Sequence, residues 1–526
     1  MKKRLYVLDT TLRDGSQAEG VSFSVSDRLV IAAKLDEFGV DYVEAGFPLS
    51  NPKEAEFFDE LKKRKLKKAK PVAFGMTRRK DISVKKDPGV ASLIAAGTPA
   101  VAIVAKTWDL HVRAVLRTSL RESLRMIEDT VAHLKSKGVE VLLDAEHFFD
   151  GYRENKEFAL KALKAAASAG ADALILCDTN GGCLPSDIAT AVKHVVGQFD
   201  CPVGIHTHND GGVAVAGTLT AVDAGATHVQ GTVNGFGERC GNADLTAVIP
   251  NLVLKKGLTC RCGRNLTKLT ELSRFVYEVA NISPQSHQPY VGESAFAHKS
   301  GLHADAVAKK TTTCEHVSPD LVGNQRRFLV SELAGSSALL AKGERYKLLK
   351  DKDARRKVLR KLKELERDGY YFEAAEGSFE LLVRKLLGSY RRFFEPLEYR
   401  VVVNRKGDDH ETVTEATLRV RVGDVVQHVV SEGDGPVNAL DGALRKALEP
   451  FFPELQNVRL IDYKVRVIDA VAGTAAKVRV IVQSKDHQST WGTVGVSENI
   501  IDASWEAILD SVEYKLLKER EENTRK

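Results

Sequence analysis

No apolar run in this sequence approaches the ~18–20 residues that a membrane-spanning helix requires, which excludes a helical span. The basic start Met1-Lys2-Lys3-Arg4 is followed by apolar residues only as far as Leu8, too short for the core of a signal peptide. Cysteine is sparse: seven residues, an odd number, scattered along the chain. Only Cys260 and Cys262 lie close together, and C-x-C is not the usual zinc spacing. Reduced thiols and a cytoplasmic location are therefore expected. Charge of one sign is also missing. With 77 basic and 71 acidic residues the net charge is +6, which leaves no footprint for nucleic acid. Two basic clusters, Lys62–Lys70 and Arg355–Lys361, read as solvated helix faces. No G-x-G-x-x-G follows the first apolar run, which disfavours a dinucleotide-binding sheet.

What is present is a chain of 526 residues with 43% hydrophobic content, enough for a large core and too long for one domain at roughly 150 residues each. From residue 5 to about 256, strand-like apolar runs alternate with amphipathic helix-like runs. The strand candidates are Leu5–Leu8, Tyr42–Ala45, Pro71–Phe74, Ala100–Val104, Val139–Leu143, Ala173–Leu176, Val203–Ile205 and His228–Thr232. Continuous Val/Ile/Leu runs suit parallel strands covered on both faces, and eight such units fit a (β/α)8 barrel best, with a doubly wound open sheet as the alternative. A barrel places its chemistry just after the strands. The residues there are Arg13, Asp14 and Gln17, then Glu44, then Asp144 and Glu146, then Asp178, Thr179 and Asn180. His206 and His208 follow, and last comes the loop Asn234–Asp244.

His206 and His208 stand at i and i+2 and so share one face of a strand, where they can hold one divalent cation. Alone, His-x-His is equally a pair of ordinary strand histidines. Asp14, placed the same way after the first strand, supplies the missing carboxylate and shifts the reading toward metal. Gly235, Gly237 and Gly241 either let the backbone approach a ligand or merely form a tight loop.

Beyond residue 257 the alternation breaks. A helical connecting region with helices near Leu266–Ala280, Glu332–Leu340 and Asp351–Asp368 precedes an α+β domain. That last domain has strands at Tyr399–Val403, Glu415–Val422, Val425–Ser431, Arg459–Val467, Ala476–Ser484 and Ser489–Ser497, and helices at Val437–Leu448 and Ala503–Lys518. The expected division is a TIM-barrel catalytic domain at 1–270, a helical linker at 271–395 and a regulatory, dimerising domain at 396–526.

The motifs Leu8–Gly15, His206-Thr207-His208-Asn209-Asp210, Gly237–Ala243 and Gly301-Leu302-His303-Ala304-Asp305 resemble the acyl-CoA-dependent α-keto-acid synthases, the barrel enzymes that include 2-isopropylmalate, homocitrate and citramalate synthases. The C-terminal third resembles that family's regulatory domain, and Trp491–Trp505 looks most like its citramalate branch. The resemblance implies Asp14, His206 and His208 as ligands of zinc, manganese or magnesium, with Asn242 as a further oxygen ligand. It implies Arg13 beside the keto oxygen, Thr179 on the keto-acid carboxylate, and Gln17 and Glu44 in the substrate site. Gly235 and Gly237 fall, with Asn242, to the acetyl-CoA side. It pairs Glu146 with His303 for deprotonating the acetyl methyl, His303 coming from a partner subunit, so a homodimer is implied. An imidazole suits that task. Pyruvate is the expected keto acid and isoleucine the expected feedback effector. Larger keto acids, a lyase and a non-catalytic metal scaffold are the alternatives. The family often has tyrosine where Cys314 stands here before Glu315-His316.

Overall fold

Eight parallel strands close into a barrel in chain order: β1 (Tyr6–Asp9), β2 (Tyr42–Gly46), β3 (Lys70–Met76), β4 (Ala100–Lys106), β5 (Glu140–Glu146), β6 (Ala173–Asp178), β7 (Val203–Thr207) and β8 (His228–Gly231), with β8 pairing back onto β1. The structure is a computed structural model that describes residues 4–64, 66–329, 351–405, 412–468, 473 and 475–525. The helix expected near Glu332–Leu340 lies outside the described residues.

The intervening helices begin where the sequence supplies caps. Ser24 forms a capping box with Asp27 ahead of Val25–Phe38, and Gly39, at φ 95°, ends that helix in the left-handed conformation. Asn51, Asp87, Ser119 and Asn155 cap four further helices, each side chain accepting backbone N–H from the first turn. Side chains pointing inward from the strands, among them Leu8, Val72, Ala102, Leu142 and Ile175, fill the barrel. Outward-pointing ones pack under the helices.

Most strands outrun their hydrophobic stretches at the C-terminal end. Lys106 is in register with Glu146, and Asp178 with Thr207, so the backbone ladder carries polar residues to the barrel mouth as rigid parts of strands. Polar side chains on a ladder are held more tightly than the same groups on a loop.

At the opposite end, His228 stacks on Tyr6 at 4.7 Å and is buried. Burial pushes its imidazole down to about 4. The unfolded chain takes up this proton near pH 6.5 and the folded chain only near 4, so stability is lost as pH falls through that window. His228→Gln is expected to flatten the fall of the urea midpoint of metal-free protein over that range. Identical pH dependence in wild type and variant would count against it.

A second compact unit comprises residues 297–315 and 327–526. It holds two three-stranded antiparallel sheets. The first has β9 (Glu395–Arg405), β10 (Thr412–Val422) and β11 (Val425–Gly433). The second has β12 (Arg459–Val467), β13 (Val478–Lys485) and β14 (Thr490–Ser497). The Pro436–Leu448 helix covers the first sheet and the Ile500–Arg525 helix the second. Their shared core includes Leu418, Leu444, Val482 and the fully buried Trp491, whose Nε1 donates to Ser511. Among the described residues no helix is long and apolar enough to cross a membrane.

Candidate active site

The mouth of the barrel holds a cavity of about 240 Å3. Arg13, Asp14 and Gln17 from the turn after β1 line it with Phe74, Val104, Glu146, Thr179, His206 and His208. Arg13 is fixed on three sides. Its Nε donates to Glu44 Oε2 at 2.7 Å, its Nη1 meets Asp14, and its guanidinium lies 3.9 Å over the Phe74 ring. Burial works against the Arg13 charge, but Asp14 and Glu44 outweigh it and hold the proton tightly.

His206 Nε2 stands 3.3 Å from Asp14 Oδ2, and the rings of His206 and His208 are 5.2 Å apart. Burial pushes His206 down, and it pushes His208 down to about 3 with the neighbouring His206 adding to the effect. Burial would raise Asp14, but Arg13 and His206 keep it low. The site thus presents one carboxylate and two neutral imidazoles.

Whether these groups fit a metal is answered by what they lack. Asp14 Oδ2, His208 Nδ1 and Asn242 Oδ1 are all buried with no hydrogen-bond partner. Buried polar atoms left unpaired are costly, and three at one place fit a shared cation. Ligand atoms of Asp14, His206 and His208 lie within 4.8 Å of one another, the one such cluster among the described residues. Asp/His/His donors with an amide oxygen nearby suit a divalent ion with open positions.

The loop after β8 is shaped for this. Asn242 Nδ2 donates to the Phe236 carbonyl at 3.0 Å, which leaves its Oδ1 free, and a short bridge pairs Asn242 with His208. Gly237 has φ 154°, and a Cβ there would strike the Asn242 amide. Around Gly235 the nearest atoms, of Asn242 and Asp244, stand at 3.4 Å from where a Cβ would sit, and neither glycine lines the cavity. Arg239 ties the loop down, bonding Asp210 at 2.7 Å and the Thr179 carbonyl at 2.7 Å.

Comparison with known proteins agrees with this geometry. The HMGL-like profile matches residues 4–276, the homocitrate synthase post-HMGL domain-like profile residues 290–369, and the LeuA allosteric (dimerisation) domain residues 373–516. An (R)-citramalate synthase of Geobacter sulfurreducens is 53% identical over 515 residues, covering 98% of each chain. Another, of Aquifex aeolicus, is 53% identical over 525 residues and covers 99% of each. A 2-isopropylmalate synthase of Methanocaldococcus jannaschii is 31% identical over 522 residues, covering 98% of this chain and 96% of its own. The chain belongs to the (R)-citramalate synthase family.

Within this family member, the described geometry redistributes some of the expected roles. Glu44, expected in the substrate site, is completely buried beneath Arg13 and does not reach the cavity. It stands in the middle of β2, and its carboxylate orients Arg13. Gln17 and Thr179 do line the cavity, and the Thr179 hydroxyl accepts the His147 amide at 2.8 Å. Glu146 reaches the mouth, where Lys106 meets its carboxylate. Lys106 was not singled out from the sequence; the available signal was a lone cation at the end of an apolar strand. His303 is exposed on the Gly301–Lys309 helix of the second unit. Cys314 is also exposed there, and its neighbour Glu315 pairs with His298 at 3.2 Å.

Gln230 also escaped the sequence reading. Fully buried inside β8, it accepts His206 Nδ1–H through Oε1 at 2.8 Å and donates from Nε2 to Asp144 at 3.0 Å. This bond fixes the His206 tautomer with the Nε2 lone pair facing Asp14. Gln230→Met is therefore expected to weaken divalent-metal affinity about 10–100-fold, read by competition titration with a chelating dye. Unchanged affinity would remove Gln230 from this role.

Proposed function

We propose that this protein condenses acetyl-CoA with pyruvate and water to give (R)-citramalate and CoA. The observation that carries the reading is the set of three partnerless buried polar atoms on Asp14, His208 and Asn242, beside a pinned Arg13 in a small cavity. The full-length similarity to (R)-citramalate synthases supports it, with 2-isopropylmalate synthases more distant. A divalent zinc, manganese or magnesium ion held by Asp14, His206, His208 and Asn242 would supply Lewis acidity toward the ketone.

The chain's own groups do the rest. Arg13 faces the developing alkoxide, and because Glu44 and Phe74 fix it beforehand, little reorganisation is needed as charge forms. The Thr179 hydroxyl binds the pyruvate carboxylate, and Gln17 lines the same cavity. Phe74 and Val104 bound the space beside the keto-acid side chain. Glu146, with Lys106 on its carboxylate, orients the base that takes the acetyl methyl proton; His303 of a partner subunit is assigned as that base. The enolate carbon attacks the ketone, Arg13 stabilises the resulting alkoxide, and water then cleaves the thioester.

The functional division into a barrel to about residue 270, a linker and a C-terminal regulatory domain belongs to this reading. So do a homodimer, isoleucine as feedback effector, a place in isoleucine biosynthesis and a cytoplasmic setting. A homodimer is supported by the match to the dimerisation domain and by apolar residues on the sheets of the second unit. Val425, Val426 and Val430 on β11 and Leu460, Ile461 and Val465 on β12 are each 40–51% exposed.

The test is CoA release, followed with a thiol reagent, from metal-replete protein with pyruvate, 2-oxobutanoate, 2-oxoisovalerate and 2-oxoglutarate. Pyruvate is expected to give the highest kcat/KM. Preference for a larger acid would move the protein to another branch, since one methylene is worth only ~1–3 kcal/mol and separates near neighbours modestly. No release with any acid would overturn the synthase reading.

A further inference from the structure

At the end of the barrel opposite the metal ligands lies a cavity of about 500 Å3 for which the condensation has no use. Thr259 fixes its place: it bridges Arg4 just ahead of β1, and its carbonyl accepts the Leu5 amide at 3.0 Å. Cys260 follows and lines the cavity together with Arg4, Arg261 and Arg264. Cys262 is fully buried and does not line it, but its Sγ stands 3.3 Å from the Cys260 Sγ.

The two thiols are unequal. The Cys262 thiol donates to the Cys260 sulfur, and with the Gly263 amide this holds the Cys260 thiol below its ordinary range, against burial and Asp41. The contact with Cys260, together with burial, pushes Cys262 well above that range. Three guanidiniums line the cavity, and Asp41, the carboxylate beside two of them, is held by Arg4 at 2.8 Å and by Arg261 at 3.6 Å. Nucleophilic thiolates occur in such electropositive, accessible places. A shared metal is disfavoured, because the one cluster of three metal-ligating side chains among the described residues is Asp14, His206 and His208.

We propose that Cys260 and Cys262 form a peroxide-reactive dithiol that closes to a disulfide, Cys260 taking the oxidant from the cavity and Cys262 resolving it. The Cys260 thiolate attacks one oxygen of hydrogen peroxide. An S–O bond forms, the O–O bond breaks, and the departing hydroxide leaves as water with the proton that Cys260 gave up, so that Cys260 becomes a sulfenic acid. The Cys262 sulfur then attacks the Cys260 sulfur. The S–S bond forms, the S–O bond breaks, and the hydroxide leaves as a second water with the Cys262 proton. The two sulfurs lose the two electrons that the peroxide gains. The sulfurs are already in contact and only Arg261 separates the two residues, so closure asks for no movement of distant elements.

The test exposes the full chain to graded hydrogen peroxide, blocks the remaining thiols with iodoacetamide and cuts after lysine. Residues 257–268 then form one peptide holding both sulfurs, and residues 165–193 another holding Cys177 and Cys183. Burial pushes the Cys177 thiol well up and Cys183 to about 12, so the second peptide is the internal control. The 257–268 peptide is expected to lose both blocking groups and become lighter by two hydrogens while the control keeps both thiols, and dithiothreitol to reverse the change. Cys262→Ser should stop the reaction at the Cys260 sulfenic acid, trapped with dimedone, and Cys260→Ser should abolish both disulfide and trapping in that peptide. The wild-type comparison carries the test should a variant not fold. Thiols in 257–268 that persist until the control oxidises, pairing of Cys260 with a cysteine other than Cys262, or oxidation of Cys260 to a sulfinic acid with no disulfide overturns the proposal.

Discussion

Replacing His206 with alanine is expected to remove bound metal and CoA release together. The imidazole is buried, its Nε2 stands 3.3 Å from Asp14, and its Nδ1 is held by Gln230, so no other side chain can swing into its place. The variant leaves a carboxylate, one imidazole and the Asn242 amide oxygen, a poorer donor set for a catalytic centre that must also keep positions open. Loss of several kcal/mol of charge stabilisation corresponds to a fall in kcat of about 10³-fold or more. The fold should persist, because His206 lies at the rim and not within the apolar layers of the barrel. The measurement pairs metal content of the purified variant with CoA release under pyruvate saturation. Substantial activity in protein shown to be metal-free would falsify the assignment of Asp14, His206 and His208 to a catalytic cation.

Much of this site could be read from the chain because strands impose a period of two. His206 and His208 had to share a face, and the polar residues after each apolar run had to gather at one rim once eight runs formed a barrel. The same logic hid Lys106 and Gln230. Hydropathy marks a strand by its apolar residues, so the expected β4 stopped at Val104, whereas the ladder continues through Lys106. Gln230 reads as one polar residue in a short apolar strand, and only the closed barrel shows that its amide spans from β7 to β5. Glu44 was expected near the end of a strand running to Ala45, whereas β2 continues to Gly46 and the Glu44 carboxylate accepts from Arg13. In the second unit all six strands were legible, Arg459–Val467 to the residue and Tyr399–Val403 as the middle of Glu395–Arg405; alternation of covered and open positions is clear in Thr412–Val422.

Arg13 provides the second large effect, and its interpretation needs two variants. Arg13→Met removes the cation that faces the developing alkoxide, and kcat should fall about 10²–10³-fold, as when one preorganised oxyanion donor is lost. It also strands Glu44, which is fully buried and already has one oxygen, Oε1, without a partner. Breaking a buried pair on one side costs about 3–5 kcal/mol, so part of any lost activity could come from lost structure. Burial already pushes Glu44 up against the pull of Arg13, so without the guanidinium it would take up a proton and keep only part of that penalty. Arg13→Met combined with Glu44→Gln separates the two effects. The double variant should regain most of the stability, read as the urea midpoint, because the orphaned carboxylate is gone. It should regain none of the rate, because the charge at the alkoxide is still missing. Glu44→Gln alone should retain the fold and lose a smaller factor in kcat, since Arg13 keeps Asp14 and the Phe74 ring as supports. Recovery of near wild-type kcat in the double variant would mean that Arg13 serves the fold and that another group meets the alkoxide.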